Sequence, residues 1–245
     1  MKFVKIPNNP INASVVLIAK NSPDWVVKGL EKLGIKAILS GETTFQVDAV
    51  RCHTDTQICH IGDDKFVVIP QLFEHYKSAI SGGKIIKGES AGMGAYPDDV
   101  AYNVANTGNF VIHNFKFTDK VLLNELTDSK INISQGYAKC LLCIVDENSV
   151  ITEDEGISRT LKRHNIDVLK ISAGDVKLPG MKYGFLGGAS GKIAKNKLAF
   201  AGDITLHRDY KKIYDFCMSR NVMPISISDE PLIDIGSIIP ILEKE

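Results

Sequence analysis

Cys140 and Cys143 have the spacing in this chain most readily connected with chemistry, because a Cys-x-x-Cys pair can bind a metal or exchange electrons. A structural zinc site needs a second pair, and Cys52 and Cys59 are too far apart in sequence for a zinc knuckle. On a strand, residues three positions apart also face opposite sides of the sheet. We therefore expect no metal site here, and we expect Cys143 to be a small buried apolar residue.

Two glycine-rich stretches could approach a ligand closely. The run from Gly187 to Gly191 lacks the GxxxxGK[ST] pattern of a phosphate-binding loop, and a strand-like stretch follows it where such a loop needs a helix. Gly187 and Gly188 are instead expected to let the backbone approach a central cavity. The stretch from Gly88 to Gly94 is a second flexible loop. Polar contacts in the same cavity are expected from Tyr96, Asn103 and Asn106.

The composition excludes several classes of partner. The chain has 245 residues, of which 44% are hydrophobic, and its 29 Lys and Arg balance its 29 Asp and Glu. This balance gives no sign of a nucleic-acid or membrane-surface partner. No stretch reaches the roughly 18 apolar residues of a spanning helix, and the N-terminus lacks the apolar core of a signal peptide. Five cysteines, an odd number, fit reduced thiols, so a cytoplasmic location is expected.

A repeated order of elements positions these residues. A β-rich run, a helical stretch and a second β-rich run recur five times, as at 15–19, 25–33 and 36–39 in the first copy. A third strand then leads through a polar hairpin turn into the next copy. We predict one domain over residues 1–245, with repeats at about 14–62, 63–107, 108–146, 147–194 and 195–245.

The predicted helices share end signals. Ser22, Thr118 and Thr152 stand where a helix N-cap is needed, with Pro23 at the first helical position of the first copy. The helices are followed by residues suited to a left-handed exit conformation, namely Gly34, Gly82, Asn165 and Asn221.

The predicted fold class is α/β, as a five-bladed β/α propeller in which ββαβ-type repeats form a pseudo-five-fold ring. Neither end of the chain has the atypical polar cap of an open repeat array, which favours closure. The alternative is an ordinary open α/β sheet. The short hairpins between copies argue against it, because a purely parallel sheet needs a crossover at every step.

Several local segments carry a resemblance to a known superfamily: 52–56 (CHTDT), 136–140 (GYAKC), 157–161 (ISRTL), 166–168 (IDV) and 184–188 (GFLGG). Together with the five repeats, they resemble the pentein fold of the guanidino-group-modifying enzymes, which include arginine deiminases, dimethylarginine hydrolases and amidinotransferases. The chain also resembles the ribosome anti-association translation factor, which shares that fold without catalysis. The likeness of repeats covers nearly the whole chain.

In the catalytic members of that superfamily, a His-x-Asp motif supplies a general base and a carboxylate that holds a guanidinium, and a cysteine attacks the guanidinium carbon. His53 and Asp55 match the motif, and Cys140 matches the cysteine two repeats later, as in the deiminases. A second carboxylate is then implied in the repeat before His53. Around a closed ring this is the last repeat, which offers Asp234 without the usual Glu-Gly-Gly before it, so the order resembles a circular permutation.

The resemblance implies an enzyme that acts on a small guanidino compound without metal or cofactor. A guanidinium is planar and charged, so two carboxylates can each accept two N–H bonds from it. The implied catalytic residues are His53 and Cys140. The implied substrate-binding carboxylates are Asp55 and Asp234. With the cavity residues expected above, the predicted substrate-binding set is Asp55, Asp234, Asn103, Asn106, Gly187 and Gly188.

Each assignment has a structural alternative. His53 could cap a loop, Cys140 could be a buried thiol, and Asp234 could shape a turn after Pro231. The corresponding second function is a non-catalytic pentein that binds a small molecule or a protein or ribosomal partner. Fold alone does not separate the two functions.

Overall fold

The computed structural model describes residues 1–44 and 46–244, which form five small sheets. The strands are β1 (Lys2–Phe3), β2 (Ala13–Ile18), β3 (Lys36–Leu39), β4 (Ile58–Gly62), β5 (Lys65–Val68), β6 (Lys84–Lys87), β7 (Ala105–Asn106), β8 (Phe110–His113), β9 (Ser129–Asn132), β10 (Cys143–Asp146), β11 (Ser149–Thr152), β12 (Asp167–Lys170), β13 (Ser190–Ala194), β14 (Lys197–Phe200), β15 (Met223–Ser226) and β16 (Ile239–Glu243). The helices are α1 (Asp24–Lys32), α2 (Thr54–Gln57), α3 (Phe73–Ala79), α4 (Lys120–Glu125), α5 (Ala138–Leu141), α6 (Glu155–Arg163) and α7 (Tyr210–Met218), with 3-10 turns at Pro70–Leu72, Asp98–Val100 and Ile204–Leu206.

Every sheet repeats one topology. A hairpin of two antiparallel strands is followed by a helix and a third strand parallel to the second, as in β4-β5-β6. The same order holds for β7-β8-β9, β10-β11-β12 and β13-β14-β15. This is the predicted ββαβ order, and the strand that precedes each hairpin turn belongs to the same sheet as the two that follow.

The ring is closed by strands from opposite ends of the chain. β16 pairs antiparallel with β2, with Ile239 opposite Leu17 and Pro240 opposite Val16, and β3 completes that sheet. β1 adds to the other edge of β16. The first and last predicted repeats therefore share one sheet, as a closed ring requires.

The topology separates the molecule into two ends. Because the first strand of each sheet is antiparallel to the other two, its start lies at the same end as the finish of the third strand. Five connecting segments lie at this loop end: 40–57 without residue 45, 88–104, 133–142, 171–189 and 227–238. The hairpin turns lie at the opposite, hairpin end, where Asn8 and Asn9 donate side-chain bonds to the carbonyl oxygens of Asn106 and Thr107.

The predicted C-terminal ends of the helices agree with the structure, and the predicted N-terminal ends do not. Gly34, Gly82, Asn165 and Asn221 all have positive φ, as predicted. The predicted N-caps Ser22, Thr118 and Thr152 are wrong, since the caps are Pro23, Asp119 and Asp154. Asp119 and Asp154 accept bonds from backbone amides within the first turn, and a carboxylate there also interacts favourably with the helix dipole.

The core lies between adjacent sheets, where one face of each helix packs. Val26 and Leu30 of α1 join a buried cluster with Val16 of β2 and Ala199 of β14. Helix α1 thus links its own sheet to a neighbouring one. Among residues 1–44 and 46–244, none of the helices has the length and apolar character needed to cross a membrane.

Asp119 has a second role besides capping α4. Its Oδ2 atom accepts bonds from the amides of Glu89 and Ser90 at 2.8 and 2.6 Å and from the Tyr102 hydroxyl at 3.1 Å. It therefore fixes the segment between β6 and β7, which carries Asn103.

We predict that Asp119→Ala lowers the free energy of unfolding by about 3 kcal/mol or more, because several buried donors lose their acceptor. Asp154→Ala, which removes a cap bond to Ile157, is the matched control and should cost about 1 kcal/mol. Urea denaturation of both variants measures the difference. Equal losses would contradict the second role of Asp119.

Candidate active site

The predicted catalytic residues lie at equivalent positions in two sheets. His53 is the N-cap of α2 and Asp55 lies within it, while Cys140 lies within α5. Each helix is a single turn that leads directly into the first strand of its sheet, β4 or β10. Both turns therefore lie at the loop end, which brings side chains 85 positions apart in sequence into contact.

Cys140 has polar partners. Its Sγ atom donates to Asp55 Oδ2 at 3.2 Å and accepts from Asn103 Nδ2 at 3.0 Å. Asn103 Oδ1 also accepts from the Lys139 amide at 2.8 Å. A nitrogen of His53, a carboxylate oxygen of Asp55 and the Cys140 sulfur all lie within 4.8 Å of one another. The expected contact of Asn103 with the site is present.

Asp234 also lies against His53. Its Oδ1 atom is 3.7 Å from His53 Nδ1, and the carboxylate accepts bonds from the amides of Gly236 at 3.0 Å and Phe185 at 2.9 Å. Asp234 is 4% exposed. The structure thus brings together His53, Asp55, Cys140 and Asp234, the four residues that the sequence resemblance placed in one site.

Glycines permit this close approach. A Cβ atom on Gly188 would overlap the Asp234 carboxylate, and one on Gly187 would overlap the carbonyl oxygens of Lys139 and Cys140. Both glycines therefore lie at the site as expected. Gly236 has a φ of 65°, and a Cβ atom there would overlap His53.

Burial dominates the electrostatics of the site. Desolvation and the nearby carboxylates of Asp55 and Asp234 raise the pKa of Cys140 well above its ordinary value, and the hydrogen bond from Asn103 opposes them. Desolvation likewise raises the pKa of Asp234, against the effect of His53. In the free protein Cys140 is therefore a neutral thiol at physiological pH.

The site has spare hydrogen-bonding capacity. Among the described residues, His53 Nδ1 and Asp55 Oδ1 are buried without a hydrogen-bond partner. Buried polar atoms in this state are costly, and a ligand that bonded to them would remove that cost. His53, Asp55 and Cys140 also supply one nitrogen, one oxygen and one sulfur, a set that could ligate a divalent ion such as zinc.

Two other residues singled out in the sequence lie elsewhere. Cys143 is fully buried in an apolar cluster with Val145 and Leu186, and burial raises its pKa to about 12. The interpretation of Cys143 as a small apolar residue is confirmed. Asn106 ends β7 at the hairpin end, where its side chain contacts the Gly108 amide and Asp128. The structure does not bring it to the site, because Asn103 precedes β7 at the loop end whereas Asn106 is the last residue of β7, next to the hairpin turn.

A cavity of 90 Å³ adjoins the site at the loop end, and it is lined by His53, Asp234, Asp48, Leu178 and Pro179 among others. Tyr96 lies to one side, where its ring contacts those of Phe117 and Tyr137. A larger cavity of 490 Å³ lies at the hairpin end, and none of the predicted site residues lines it.

Sequence reasoning missed three residues of the site: Lys139 and Ser237, which are buried, and Glu153, which is half-buried. Lys139 precedes Cys140, and its Nζ atom donates to Ser237 Oγ at 3.0 Å. Ser237 in turn donates to Asp55 Oδ2 at 2.7 Å. A lysine and a serine have no spacing that announces such contacts. The one available signal was the position of Lys139 beside the candidate nucleophile.

Glu153 supports the glycine loop from behind. Its Oε1 atom accepts from the Leu186 amide at 2.8 Å, while Oε2 is buried without a hydrogen-bond partner among the described residues. Burial raises the pKa of Glu153 to about 7. At pH values between the unfolded and the folded pKa, the folded protein therefore keeps a proton on Glu153 that the unfolded chain has released.

This difference predicts that Glu153→Gln stabilises the protein more at pH 8 than at pH 5. The native pKa lies above the unfolded value, so the wild type loses stability as pH rises between the two. Glutamine has no such loss, and its advantage should grow by roughly 2 kcal/mol over this interval. Denaturant unfolding at both pH values measures it, with the exposed Glu155→Gln as control. An equal effect of Glu153→Gln at the two pH values would contradict the prediction.

Solved structures with similar folds include several enzymes of guanidino chemistry. Inosamine-phosphate amidinotransferase of Streptomyces griseus aligns with a TM-score of 0.61 at 10% identity, over 100% of this chain and 98% of that one. The agmatine deiminase of C. jejuni aligns with a TM-score of 0.52 at 10% identity, over 93% and 91%. DDAH from Pseudomonas aeruginosa, in complex with citrulline, aligns with a TM-score of 0.54 at 9% identity, over 89% and 93%.

These likenesses show the fold, and the predicted five-bladed β/α propeller of the pentein type is confirmed. The search of the curated proteins finds no match. Residues 17–239 match the model described as the family of unknown function DUF6873. Because this match spans most of its length, the chain belongs to the DUF6873 family.

Proposed function

We propose that the chain is a guanidino-group-modifying enzyme, of hydrolase, deiminase or amidinotransferase type, that acts on an arginine-like small molecule. The observation that carries the proposal is the contact of Cys140 Sγ with Asp55 Oδ2 at 3.2 Å, beside His53. Burying carboxylates together costs free energy, which a bound cation offsets. A fold that maintains this arrangement beside a thiol fits a site for a cationic substrate.

The carboxylates suit a planar cation. Asp55 Oδ1 is free of hydrogen bonds among the described residues, and each oxygen of Asp234 accepts one backbone bond and retains a second lone pair. A guanidinium donates in one plane, so carboxylates on two sides can hold it in a fixed orientation. Its central carbon would then face Cys140.

The chemical steps follow from these roles. The Cys140 thiolate forms a C–S bond with the guanidinium carbon, and the resulting tetrahedral carbon expels an amine as its C–N bond breaks. His53 accepts the Cys140 thiol proton as the thiolate forms, and it then transfers that proton to the departing amine. Water, or an acceptor amine in a transferase, then adds to the carbon with His53 as base. The C–S bond breaks and the thiolate is restored.

Substrate binding would itself activate the nucleophile. The raised pKa of Cys140 has burial as its first cause and the charges of Asp55 and Asp234 as the next. A cation between the carboxylates cancels the second effect and lowers the cost of forming a thiolate. The free enzyme would therefore hold an unreactive thiol.

The known structures support the same substrate class. One similar structure is an agmatine deiminase with substrate bound, and another is DDAH in complex with citrulline. Those ligands belong to those proteins. The shared fold and the thiol, imidazole and carboxylates of this site support a small guanidino ligand here.

A second candidate is a pentein that binds such a ligand without turnover. Its support is the closure of the site, since His53, Asp55 and Cys140 are each at most 3% exposed and the adjoining cavity measures 90 Å³. An arginine-sized substrate would require the loops around Asp48 and Leu178 to move. Binding without release of an amine or ureido product would favour this candidate.

We expect the purified protein to release an amine from at least one of agmatine, arginine and the methylated arginines. Cys140→Ser should lower turnover by about 10³-fold or more, since the hydroxyl is a far weaker nucleophile at this site. Cys143→Ala, which removes a thiol from the apolar core, is the control and should retain turnover. Mass spectrometry of the products measures the turnover of each variant. Full activity of Cys140→Ser would refute the proposal.

The state of Cys140 gives a further prediction. Neutral iodoacetamide should alkylate Cys140 slowly at pH 7.5, about tenfold faster for each unit of pH, because its raised pKa leaves little thiolate. Cationic 2-chloroacetamidine should react faster relative to its rate with free cysteine, since the carboxylates bind its amidinium. Asp55→Asn should remove that preference. Peptide mapping of the alkylated cysteine measures both rates, and an equal preference in Asp55→Asn would contradict the role of the carboxylate.

A further inference from the structure

The cavity of 490 Å³ at the hairpin end is lined by a buried lysine. Lys192 of β13 lies on this cavity, which we call the hairpin-end cleft, and is 4% exposed. Its Nζ atom donates to the Lys195 carbonyl oxygen at 3.0 Å. Within residues 1–44 and 46–244 this is its one hydrogen bond, and no carboxylate lies within ion-pair distance of it. An ammonium has three donors, so two of them remain for a ligand.

The repeated sheet topology does not require a charged residue at this position. In β13, Lys192 lies opposite Leu198, and the register then shifts by one residue before Ala194. The strands β10 and β16 shift in the same way after Ile144 and Pro240. An ammonium buried without a carboxylate partner costs free energy, whereas an apolar residue at this position would not. The lysine therefore fits a binding role better than a structural one.

Ser149 and Arg220 bring further donors to the same cleft. Arg220 Nε lies 2.8 Å from Ser149 Oγ, and because a guanidinium only donates, the serine hydroxyl accepts this bond. The hydroxyl proton has no acceptor within residues 1–44 and 46–244. The Arg220 charge is met by Asp167, and its guanidinium lies over the Phe216 ring, 3.6 Å from the centroid. The cleft thus offers the Ser149 hydroxyl and the Lys192 ammonium to an anionic group.

Two carboxylates line the cleft as well. Asp146 and Glu147 lie at the turn between β10 and β11 and are half-buried. Burial lowers the pKa of Lys192 and both carboxylates oppose this effect, so they lie within electrostatic reach of its ammonium without contacting it. Among the described residues, the Glu147 carboxylate has no hydrogen bond, and Asp146 Oδ1 accepts one from the Asn148 amide at 2.8 Å. The cleft therefore has a cationic group and anionic groups, each with unused bonding capacity.

An exposed isoleucine gives the cleft an apolar wall. Ile11 lines it and is 62% exposed, and Ile6, Pro10 and Val222 lie on it as well. Glu243 holds this segment in place, because its Oε2 atom accepts from the Ile11 amide at 2.6 Å. The volume of the cleft is within the range of small-molecule sites. A ligand with an apolar side chain would remove the Ile11 surface from water.

We propose that the hairpin-end cleft binds a small zwitterion with an apolar side chain, such as the amino acid leucine. Its carboxylate accepts bonds from Lys192 and Ser149, its ammonium faces Asp146 and Glu147, and its side chain covers Ile11. A phosphate dianion fits less well because the two carboxylates repel it, and an amine alone leaves the lysine donors unused. The cleft lies at the opposite end of the ring from the candidate active site, so this proposal does not rest on the proposed function.

Calorimetry with leucine tests the site directly. We expect one leucine bound per chain with a Kd at or below about 1 mM. Two analogues separate the contacts, since isocaproate lacks the ammonium of leucine and isoamylamine lacks its carboxylate. Isocaproate should bind about threefold more weakly than leucine, and isoamylamine at least about tenfold more weakly. No leucine binding up to about 10 mM, equal binding of leucine and either analogue, or tighter binding of inorganic phosphate would overturn the proposal.

Lys192→Met removes the ammonium and keeps most of the apolar stem of the side chain. The affinity for leucine should fall at least about tenfold, because a charge-assisted bond to its carboxylate is lost. Lys195→Met, which removes an exposed ammonium from the same cleft, is the matched control. It should change the affinity by less than about twofold. Equal losses in the two variants would overturn the proposal.

Asp146→Asn combined with Glu147→Gln tests the contacts of the ligand ammonium. Both changes conserve the shape of a half-buried side chain and remove its charge. The double variant should bind leucine about threefold more weakly and isocaproate as tightly as the wild type does, since isocaproate has no ammonium. This measurement also replaces Lys192→Met if that variant does not fold. An unchanged affinity for leucine would overturn the proposal.

Variants at the loop end decide where the ligand binds. Cys140→Ser and Asp55→Asn leave every residue of the hairpin-end cleft in place, so both should bind leucine as the wild type does. Loss of leucine binding in Asp55→Asn would assign the ligand to the candidate active site and overturn the proposal. A failure of the proposed function would not change these results, because none of the measurements uses a guanidino compound or turnover.

Discussion

The burial of two carboxylates at one point is the constraint on which this structure depends. Asp55 is 1% and Asp234 is 4% exposed, and within residues 1–44 and 46–244 neither has a direct bond to a lysine or arginine. Their charge is met instead by dispersed donors: backbone amides for Asp234, and a serine and a thiol for Asp55. Dispersed donors leave lone pairs free, which a direct ion pair would not. The arrangement keeps the carboxylates available to an external cation.

The closed ring of sheets brings the donors and the two carboxylates to one point. Phe185 and Gly236 precede the first strands of two adjacent sheets, Cys140 precedes that of a third, and His53 and Asp55 precede that of a fourth. The ββαβ topology places all of these starts at the loop end. Closure of the ring by β16 and β2 then makes the segments converge. In an open sheet the same segments would follow one edge and meet only their immediate neighbours.

The sequence predicted the repeats better than their ends. Polar hairpin turns and left-handed exit residues have a fixed backbone requirement, so the five copies and the exits at Gly34 and Asn165 were predictable. The predicted N-caps were wrong because serine, threonine and aspartate are all suited to that position. The helix start then shifts by one or two residues, as from Thr118 to Asp119. The prediction for Asn106 was wrong because this residue is the second and last of β7, at the hairpin side of that strand. The His-x-Asp motif succeeded because His53 and Asp55 share one turn.

The residues around Asp55 show why the remainder of the site was unpredictable. Lys139 and Ser237 are 98 positions apart, and nothing local in either segment signals that a hydroxyl will bridge an ammonium to a carboxylate. Their roles depend on burial, since in water the same groups would be solvated separately and hardly interact. The same burial raises the pKa of the Cys140 thiol. A nucleophile that forms only beside a bound cation, as the proposed function requires, is a consequence of the same dry interior.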